Sequence, residues 1–280
     1  MTTAAILRAV GRVMLGDFDV IGWHAGHGRT VVMRAYSPAY GQVIIKVHRG
    51  GDRHRQEAVA YRCWTPALGD RAPRLIALHP DPPAIAVTAL PGQPLDQVIL
   101  APRLEREAHR QAGTLLRDLH QAGPARHDPG FRAILSQRGR YWIDRAAGRL
   151  GSEQRGELLA RLDELAELPV STLTPCHLDF MARNLIRVDD GTIAVIDFEH
   201  ARYDLPARDL VRLATRIWPQ RPDLEEVFLD GYGPLTDLDR TVIHCCTAID
   251  LASKQARATA LGKLAPSTAV SGIPNELEAK

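Results

Sequence analysis

The sequence has little lysine and few aromatic residues, and each shortage narrows the range of functions. The only lysines are Lys46, Lys254, Lys263 and Lys280, so arginine supplies nearly all of the positive charge. The net charge is only +2, without the basic excess of proteins that bind phosphate backbones, and we expect no nucleic-acid partner. Aromatic residues make up 5% of the chain, and their spacing does not resemble a cage for a quaternary ammonium group.

Cysteines and long apolar runs are also scarce. Cys63, Cys176, Cys245 and Cys246 lack the paired spacing of metal ligands, and we expect reduced thiols in the cytoplasm. No stretch approaches the roughly 18 apolar residues that a membrane-spanning helix needs, so we expect no membrane partner. A length of 280 residues with 45% hydrophobic residues fits a soluble globular protein of one large domain or two lobes.

The local pattern changes near residue 90. Before it, the spacing predicts a helix over 4–14, strands over 30–33 and 43–47, a helix over 53–64 and a strand over 84–90. Beyond it, the pattern predicts helices over 103–121, 152–168 and much of 205–262, and two strands over 184–188 and 192–196. We therefore predict an α+β fold with a sheet-containing N-terminal lobe, 1–90, and a larger, mainly helical C-terminal lobe, 91–280.

The most informative segment runs from His177 to Asn184, with the sequence HLDFMARN, and is followed by Asp197 in the triplet DFE. Phosphoryl transfer requires a carboxylate that orients the attacking hydroxyl and oxygen ligands that hold Mg²⁺ against the phosphates. Asp179, Asn184 and Asp197 supply these groups. A hairpin between Asn184 and Asp197 would return the second aspartate to the first.

The pattern H-x-D-x-x-x-x-N, followed by a hydrophobic strand and D-F-E, resembles the signature of aminoglycoside phosphotransferases and their choline-kinase-like relatives. The resemblance implies a bilobal protein-kinase-like fold. It also implies that Asp179 is the catalytic base, that Asn184 and Asp197 bind Mg²⁺, and that His177 supports the loop. The simpler interpretation is an ordinary loop and hairpin with solvated acids, but order, spacing and strand context together favour the phosphotransferase.

The same resemblance implies a nucleotide site in the N-terminal lobe. Gly26, His27 and Gly28 would form the loop over the phosphates, Lys46 would contact the α- and β-phosphates, and Glu57 would pair with Lys46. Taken alone, a lysine at a strand end is more often exposed, and a glutamate on a helix is more often a surface charge. Their positions on a strand and the following helix favour the functional interpretation.

Two further features bear on the nucleotide. Thr88 and Leu90 lie before Pro-Gly, where the resemblance implies a connector that grips a purine through main-chain groups; the alternative is an edge strand that ends in a turn. The sequence departs from the family at Leu178, where glycine is common, and in lacking a clean G-x-G-x-x-G. The co-substrate is therefore expected to be ATP or GTP, with Mg²⁺ as cofactor.

The acceptor is a separate question, because related enzymes phosphorylate antibiotics, choline and amino-acid-like alcohols. A polycationic acceptor requires an acid-lined cleft. The helical lobe offers candidate acids at Asp144, Asp163, Glu164, Asp204, Asp223, Glu225, Glu226, Asp230 and Asp250. We predict an O-phosphotransferase for a cationic antibiotic, an aminoglycoside or a basic cyclic peptide, acting as a monomer or homodimer. The alternatives are a kinase for a metabolite alcohol such as choline, homoserine or a sugar, and a non-catalytic nucleotide-binding module.

Overall fold

The computed structural model describes residues 2–25, 31–48, 50–169 and 172–262. An antiparallel sheet of five strands is the centre of the region up to residue 88, in the order β1-β2-β3-β5-β4. The strands are β1 (Asp19–Ala25), β2 (Val31–Ser37), β3 (Gly41–Val47), β4 (Leu75–Pro80) and β5 (Pro83–Thr88).

Two helices pack against this sheet, α1 (Thr3–Leu15) and α2 (Gly51–Cys63). Side chains alternate between the two faces of a strand. In β3, Val43 and Ile45 therefore enter a core with Leu7 of α1, while Ile44 packs against the main core on the other face. The alternation also places Lys46 on that second face, which is the face toward α2 and the helical region.

The rest of the chain is mainly helical and carries two small sheets. The helices are α3 (Pro102–His120), α4 (Phe131–Arg145), α5 (Ser152–Glu167), α6 (Val211–Arg216), α7 (Pro222–Tyr232) and α8 (Asp237–Gly262). One small sheet contains β6 (Gln93–Pro94), β9 (Leu185–Arg187) and β10 (Ile193–Val195), and the other contains β7 (Arg126–His127), β8 (Thr172–Cys176) and β11 (Arg202–Asp204). None of the helices within the described ranges is both long and apolar enough to span a membrane.

The predicted elements are present within the described residues. The sequence pattern did not reveal α4, the sheet strands β1 and β4, or the short strands β6, β7, β8 and β11. The missed helix has a physical explanation. Its buried face includes Arg132, Ser136 and Gly139 beside Leu135 and Ile143, so the apolar periodicity of a buried helix is weak. The boundary between lobes near residue 90 stays a prediction, although the five-stranded sheet ends at residue 88.

The crossing of α3 and α7 depends on two glycines. A methyl group added at Gly113 would lie 2.1 Å from the carbonyl oxygen of Phe228, and one added at Gly231 would lie 2.0 Å from that of Arg110. Because both obstacles are backbone atoms, Gly231→Ala is expected to lower the free energy of unfolding by about 1–3 kcal/mol in urea titrations. Gly156→Ala on α5 is the control, since nothing lies within 4 Å there, and an equal loss in both variants would contradict the assignment.

Candidate active site

A buried lysine forms ion pairs with three carboxylates where the sheet meets the helical region. The Nζ atom of Lys46 lies 2.5 Å from Oδ1 of Asp197, 2.9 Å from Oε2 of Glu199 and 3.2 Å from Oε2 of Glu57. Burial opposes the charge of Lys46, but Glu57, Asp197 and Glu199 outweigh it and raise the pKa of Lys46. The structure therefore keeps Lys46 charged, although the residue is only 7% exposed.

Each partner reaches Lys46 from a different element. Glu57 projects from α2, where it is 2% exposed and therefore belongs to the site rather than to a solvated helix face. Asp197 follows β10 and has φ 68°, a left-handed conformation that few residues other than glycine adopt. The turn that begins there, Phe198–His200, carries Glu199 to the same lysine.

The segment that follows β8 is fixed by the ring of His177. Its Nδ1 accepts the N–H of Asp179 at 3.2 Å, and its Nε2 donates to the carbonyl of Ile196 at 2.9 Å. The ring is fully buried, with its centroid 5.0 Å from that of Phe198. His177 therefore joins the loop of Asp179 to the strand end that precedes Asp197, and this position suits the supporting role that the resemblance implied.

Leu178 occupies a conformation that glycine tolerates best. Its φ is 60°, in the left-handed region where a Cβ atom costs roughly 1–2 kcal/mol. The glycine common at this position in the family thus has a structural reason, and this chain retains the backbone geometry with leucine.

Two arginines neutralise the carboxylate of Asp179. Arg183 donates to both oxygens, at 2.7 and 2.6 Å, and Arg212 donates to Oδ1. Burial alone would raise the pKa of Asp179, but the charges of Arg212 and Arg183 lower it below the ordinary value. Asp179 is therefore an ionised carboxylate at neutral pH.

The side chains of Asn184 and Asp197 fit a divalent cation. Asn184 donates through Nδ2 to the backbone carbonyl of Asp179 at 2.8 Å and to Oδ2 of Asp179 at 2.9 Å, and no residue in the described ranges donates to Oδ1 of Asn184. Lys46 occupies Oδ1 of Asp197, and no described residue donates to Oδ2. A carboxylate oxygen and an amide oxygen are ligands that Mg²⁺ accepts, with water and phosphate oxygens completing its shell.

The carboxylate of Asp209 binds the backbone of the loop that carries Asp179. It accepts the backbone N–H of His177 at 2.8 Å, that of Leu178 at 2.5 Å and Nε2 of His120 at 3.0 Å. His120, Cys176 and Asp209 are close enough to suggest a metal centre, but burial raises the pKa of the Cys176 thiol, and its Sγ donates to two backbone carbonyls. The cluster is therefore a hydrogen-bonded support for the loop.

Replacement of Asp209 should destabilise the loop that it binds and the residues packed around that loop. Asp209→Ala leaves several buried donors without an acceptor and is expected to lower the free energy of unfolding by about 3–5 kcal/mol. Urea titration followed by circular dichroism measures the loss. Asp230→Ala, which removes an exposed aspartate from α7, should change it by less than about 0.5 kcal/mol. Similar stabilities for both variants would contradict the role of Asp209.

The structure describes only some of the other residues that were predicted to bind the nucleotide. Gly26, His27 and Gly28 lie outside the described residues. Thr88 ends β5, and its N–H donates to the carbonyl of Arg74 at 2.9 Å, so only its carbonyl is available to a purine. Leu90 follows outside the sheet. The purine contacts of Thr88 and Leu90 stay predictions.

Among the candidate acids for an acceptor, only Asp250 lines the cavity beside Asp179. Several of the others form ion pairs elsewhere, such as Asp144 with Arg155 and Asp223 with Arg221. Asp250 itself is bound by Arg212 at 3.1 Å and by a second arginine. The cavity beside Asp179 is therefore not the acid-lined cleft expected for a polycation.

Residues 22–242 match the Phosphotransferase enzyme family. The chain belongs to this family. No match was found among curated protein sequences. Many solved structures share the fold, and three of them are compared with this chain. Macrolide 2′-phosphotransferase MphH from Brachybacterium faecium is 20% identical, with 92% of this chain and 93% of that chain covered and a TM-score of 0.59.

The other two are aminoglycoside enzymes. Aminoglycoside phosphotransferase APH(3'')-Id from Streptomyces rimosus, solved with ADP and streptomycin, is 22% identical, covers 90% of this chain and 99% of its own, and has a TM-score of 0.59. The GDP and kanamycin complex of APH(2")-IIIa is 15% identical, covers 91% and 93%, and has a TM-score of 0.67. At these identities the likeness shows the kinase-like fold that the sequence predicted.

The phosphotransferase site also contains residues that sequence reasoning missed, namely Glu199, Arg183, Arg212 and Asp209. Glu199 is the third residue of the DFE triplet, and Arg183 precedes Asn184, so both lie inside the motif and could have been examined as charges near the reacting groups. Arg212 and Asp209 are about thirty residues from Asp179 and carry no local signal.

Proposed function

We propose that the chain transfers the γ-phosphoryl group of ATP or GTP to a hydroxyl group of a small molecule in the presence of Mg²⁺. The observation that carries the proposal is a pair of contacts, Lys46 with Asp197 and Asn184 with Asp179, whose two loops are joined by His177. Lys46 lies 2.5 Å from Asp197, and Asn184 lies 2.9 Å from the carboxylate of Asp179. Phosphoryl transfer depends mainly on positioning and on charge stabilisation, and these residues supply both.

Each residue has a separate task in the proposed reaction. Asp179 orients the acceptor hydroxyl and receives its proton as the hydroxyl oxygen bonds to the γ-phosphorus. The bond from that phosphorus to the β–γ bridging oxygen breaks, and the nucleoside diphosphate leaves. Lys46 contacts the α- and β-phosphates, and Glu57 holds Lys46 in place. Asn184 and Asp197 would hold Mg²⁺, which would neutralise phosphate charge.

Arg183 and Arg212 add positive charge beside the reacting phosphoryl group. Each donates to Asp179 in the structure. Because Asp179 would orient the acceptor hydroxyl, both guanidinium groups would lie near the oxygen that attacks the phosphorus. Charge develops on the equatorial phosphoryl oxygens during transfer, and a guanidinium group stabilises it. We propose this second role for Arg183 in particular, because it sits four residues after the base.

The proposal that the acceptor is an antibiotic rests on the resemblance to the family. The solved relatives carry macrolide, streptomycin and kanamycin in their names, and modification of such a compound would confer resistance. A cationic antibiotic remains one arm of the test. A metabolite alcohol remains the alternative. The arginine-rich lining of the cavity beside Asp179 favours an anionic acceptor over the cationic acceptor predicted from the sequence. A module that only binds nucleotide would not need Asp179 in this setting.

The test is release of nucleoside diphosphate by the purified protein with Mg²⁺ and ATP or GTP, across antibiotics, basic peptides and metabolite alcohols. Acceptor-dependent release that Mg²⁺ chelation abolishes is the expected result. Nucleotide binding without release for any acceptor would favour the binding module, and absence of Mg²⁺-dependent nucleotide binding would reject the proposal.

A further inference from the structure

A cavity of about 290 Å³ opens beside the catalytic segment. It lies between α4 and α8 on one side and residues 178–212 on the other, and Leu178 and Phe180 form part of its wall. Its lining contains six arginines, Arg53, Arg138, Arg202, Arg208, Arg212 and Arg257, against two acids, Asp209 and Asp250. This composition is unusual for the receptor of a polycation.

Part of this positive charge is already balanced. Arg53 lies 2.6 Å from Glu199. Arg212 pairs with Asp179 and with Asp250, but Asp250 is shared with Arg216 at 2.5 Å. One carboxylate therefore serves two guanidinium groups at this end of the cavity, and it offers little additional negative charge to a ligand.

The remaining arginines divide into two kinds. Arg202 and Arg208 both bind Asp204, which is fully buried, so they serve the structure of β11 and the turn after it. Arg138 on α4 and Arg257 on α8 form no ion pair with any carboxylate in the described ranges. They face the cavity from its two helical sides and are exposed enough to meet a ligand.

The groups around Arg257 indicate that the electrostatic potential at this end of the cavity is positive. Its guanidinium carbon lies 5.9 Å from the ring centroid of Trp142, a cation–π contact that orients the side chain. Burial and then repulsion from Arg212 and Arg53 lower the pKa of Arg257. Further positive charge is therefore unfavourable here, whereas an anion would relieve the repulsion.

We propose that the acceptor is a small hydroxyl compound with an anionic group, a carboxylate or a phosphate, which Arg138 and Arg257 bind while the hydroxyl faces Asp179. This inference rests on the proposed phosphotransfer. Arginine suits the role because its planar group binds carboxylate and phosphate through paired hydrogen bonds. The volume agrees, since about 290 Å³ lies at the lower limit of ligand pockets, roughly 300–1,000 Å³, and suits a compact molecule.

The first experiment compares the binding of small sugar compounds that differ in charge, with kanamycin as a larger polycation. Isothermal titration calorimetry of the full chain, saturated with ADP and Mg²⁺, measures the Kd of glucose 6-phosphate, gluconate, glucose and kanamycin. Either anion should bind at least about tenfold more tightly than glucose, and kanamycin should bind no better than glucose. The two anions distinguish phosphate from carboxylate. Tightest binding of kanamycin, or four indistinguishable results, would overturn the proposal.

The second experiment locates the anion. Arg138→Glu and Arg257→Glu should each raise the Kd of the preferred anion about tenfold or more. The matched control is Arg145→Glu, because Arg145 lies 5.5 Å over the ring of Tyr141, as Arg257 lies over Trp142, yet it does not line the cavity. Unchanged anion affinity in the double variant Arg138→Glu/Arg257→Glu would place the anion elsewhere and overturn the assignment.

Failure of this inference can be separated from failure of the proposed function. Nucleotide binding is measured on the same samples without any acceptor, with and without Mg²⁺. If Mg²⁺-dependent nucleotide binding is present and the preference for anions is absent, the inference alone is wrong. If Mg²⁺-dependent nucleotide binding is itself absent in the wild type, the proposed phosphotransfer is wrong as well.

Discussion

Replacing Asp179 by asparagine is expected to lower kcat by about 10²–10⁴-fold, the usual contribution of a positioned base, while ATP still binds. The asparagine keeps the shape of the side chain but has much weaker basicity and carries no charge. Nucleotide contacts are assigned to other residues, so the Kd for ATP should change little. Steady-state kinetics with the identified acceptor and calorimetry with ATP separate the two effects.

The substitution also leaves Arg183 and Arg212 without their shared carboxylate. Thermal unfolding of the variant therefore has to accompany the kinetics, so that lost activity is not confused with lost fold. Asp189→Asn is the control, because Asp189 is an exposed acid in the turn between β9 and β10. A variant at Asp179 that turned over near the wild-type rate would show that another group, or no group, takes the proton.

The sequence predicted the part of the candidate site around Lys46 because its residues are close together in the chain or follow recognisable elements. Lys46 lies at the end of an apolar strand, and Glu57 follows eleven residues later on the next helix. The alternation of side chains in β3 and the position of Glu57 on α2 bring the two side chains together. Asp197 joins them through a short hairpin whose turn residues are visible in the sequence. These three residues lie together in the structure, although their catalytic roles stay predictions.

The proposed acceptor site could not be predicted in the same way. Its wall comes from α4, α6 and α8, and charged residues on a helix give no local signal of which face lines a cavity. Asp250 and Arg257 both lie on α8, yet only their packing against Arg212 and Trp142 shows how they are used. Counting acids in the helical lobe therefore favoured a cationic acceptor, whereas the cavity has an excess of arginine.

The metal assignment is tested by Asp197→Asn. Groups that only orient a metal ligand contribute roughly 10–100-fold to metal affinity, so loss of a direct carboxylate ligand should cost at least about 100-fold. Asparagine tolerates the left-handed φ of 68°, and Lys46 retains Glu57 and Glu199 as partners, so the fold should survive. The effect is therefore expected on Mg²⁺ rather than on stability.

Calorimetric titration of ATP with and without Mg²⁺ measures this effect directly. In the wild type, Mg²⁺ should strengthen ATP binding, and in Asp197→Asn most of that gain should disappear together with turnover. Asp189→Asn removes a negative charge from the same hairpin without touching Lys46 and should behave as the wild type. If Asp197→Asn retained the full Mg²⁺ dependence, Asp197 would serve only as a partner of Lys46, and the cation would have to be held by Asn184 with other oxygens.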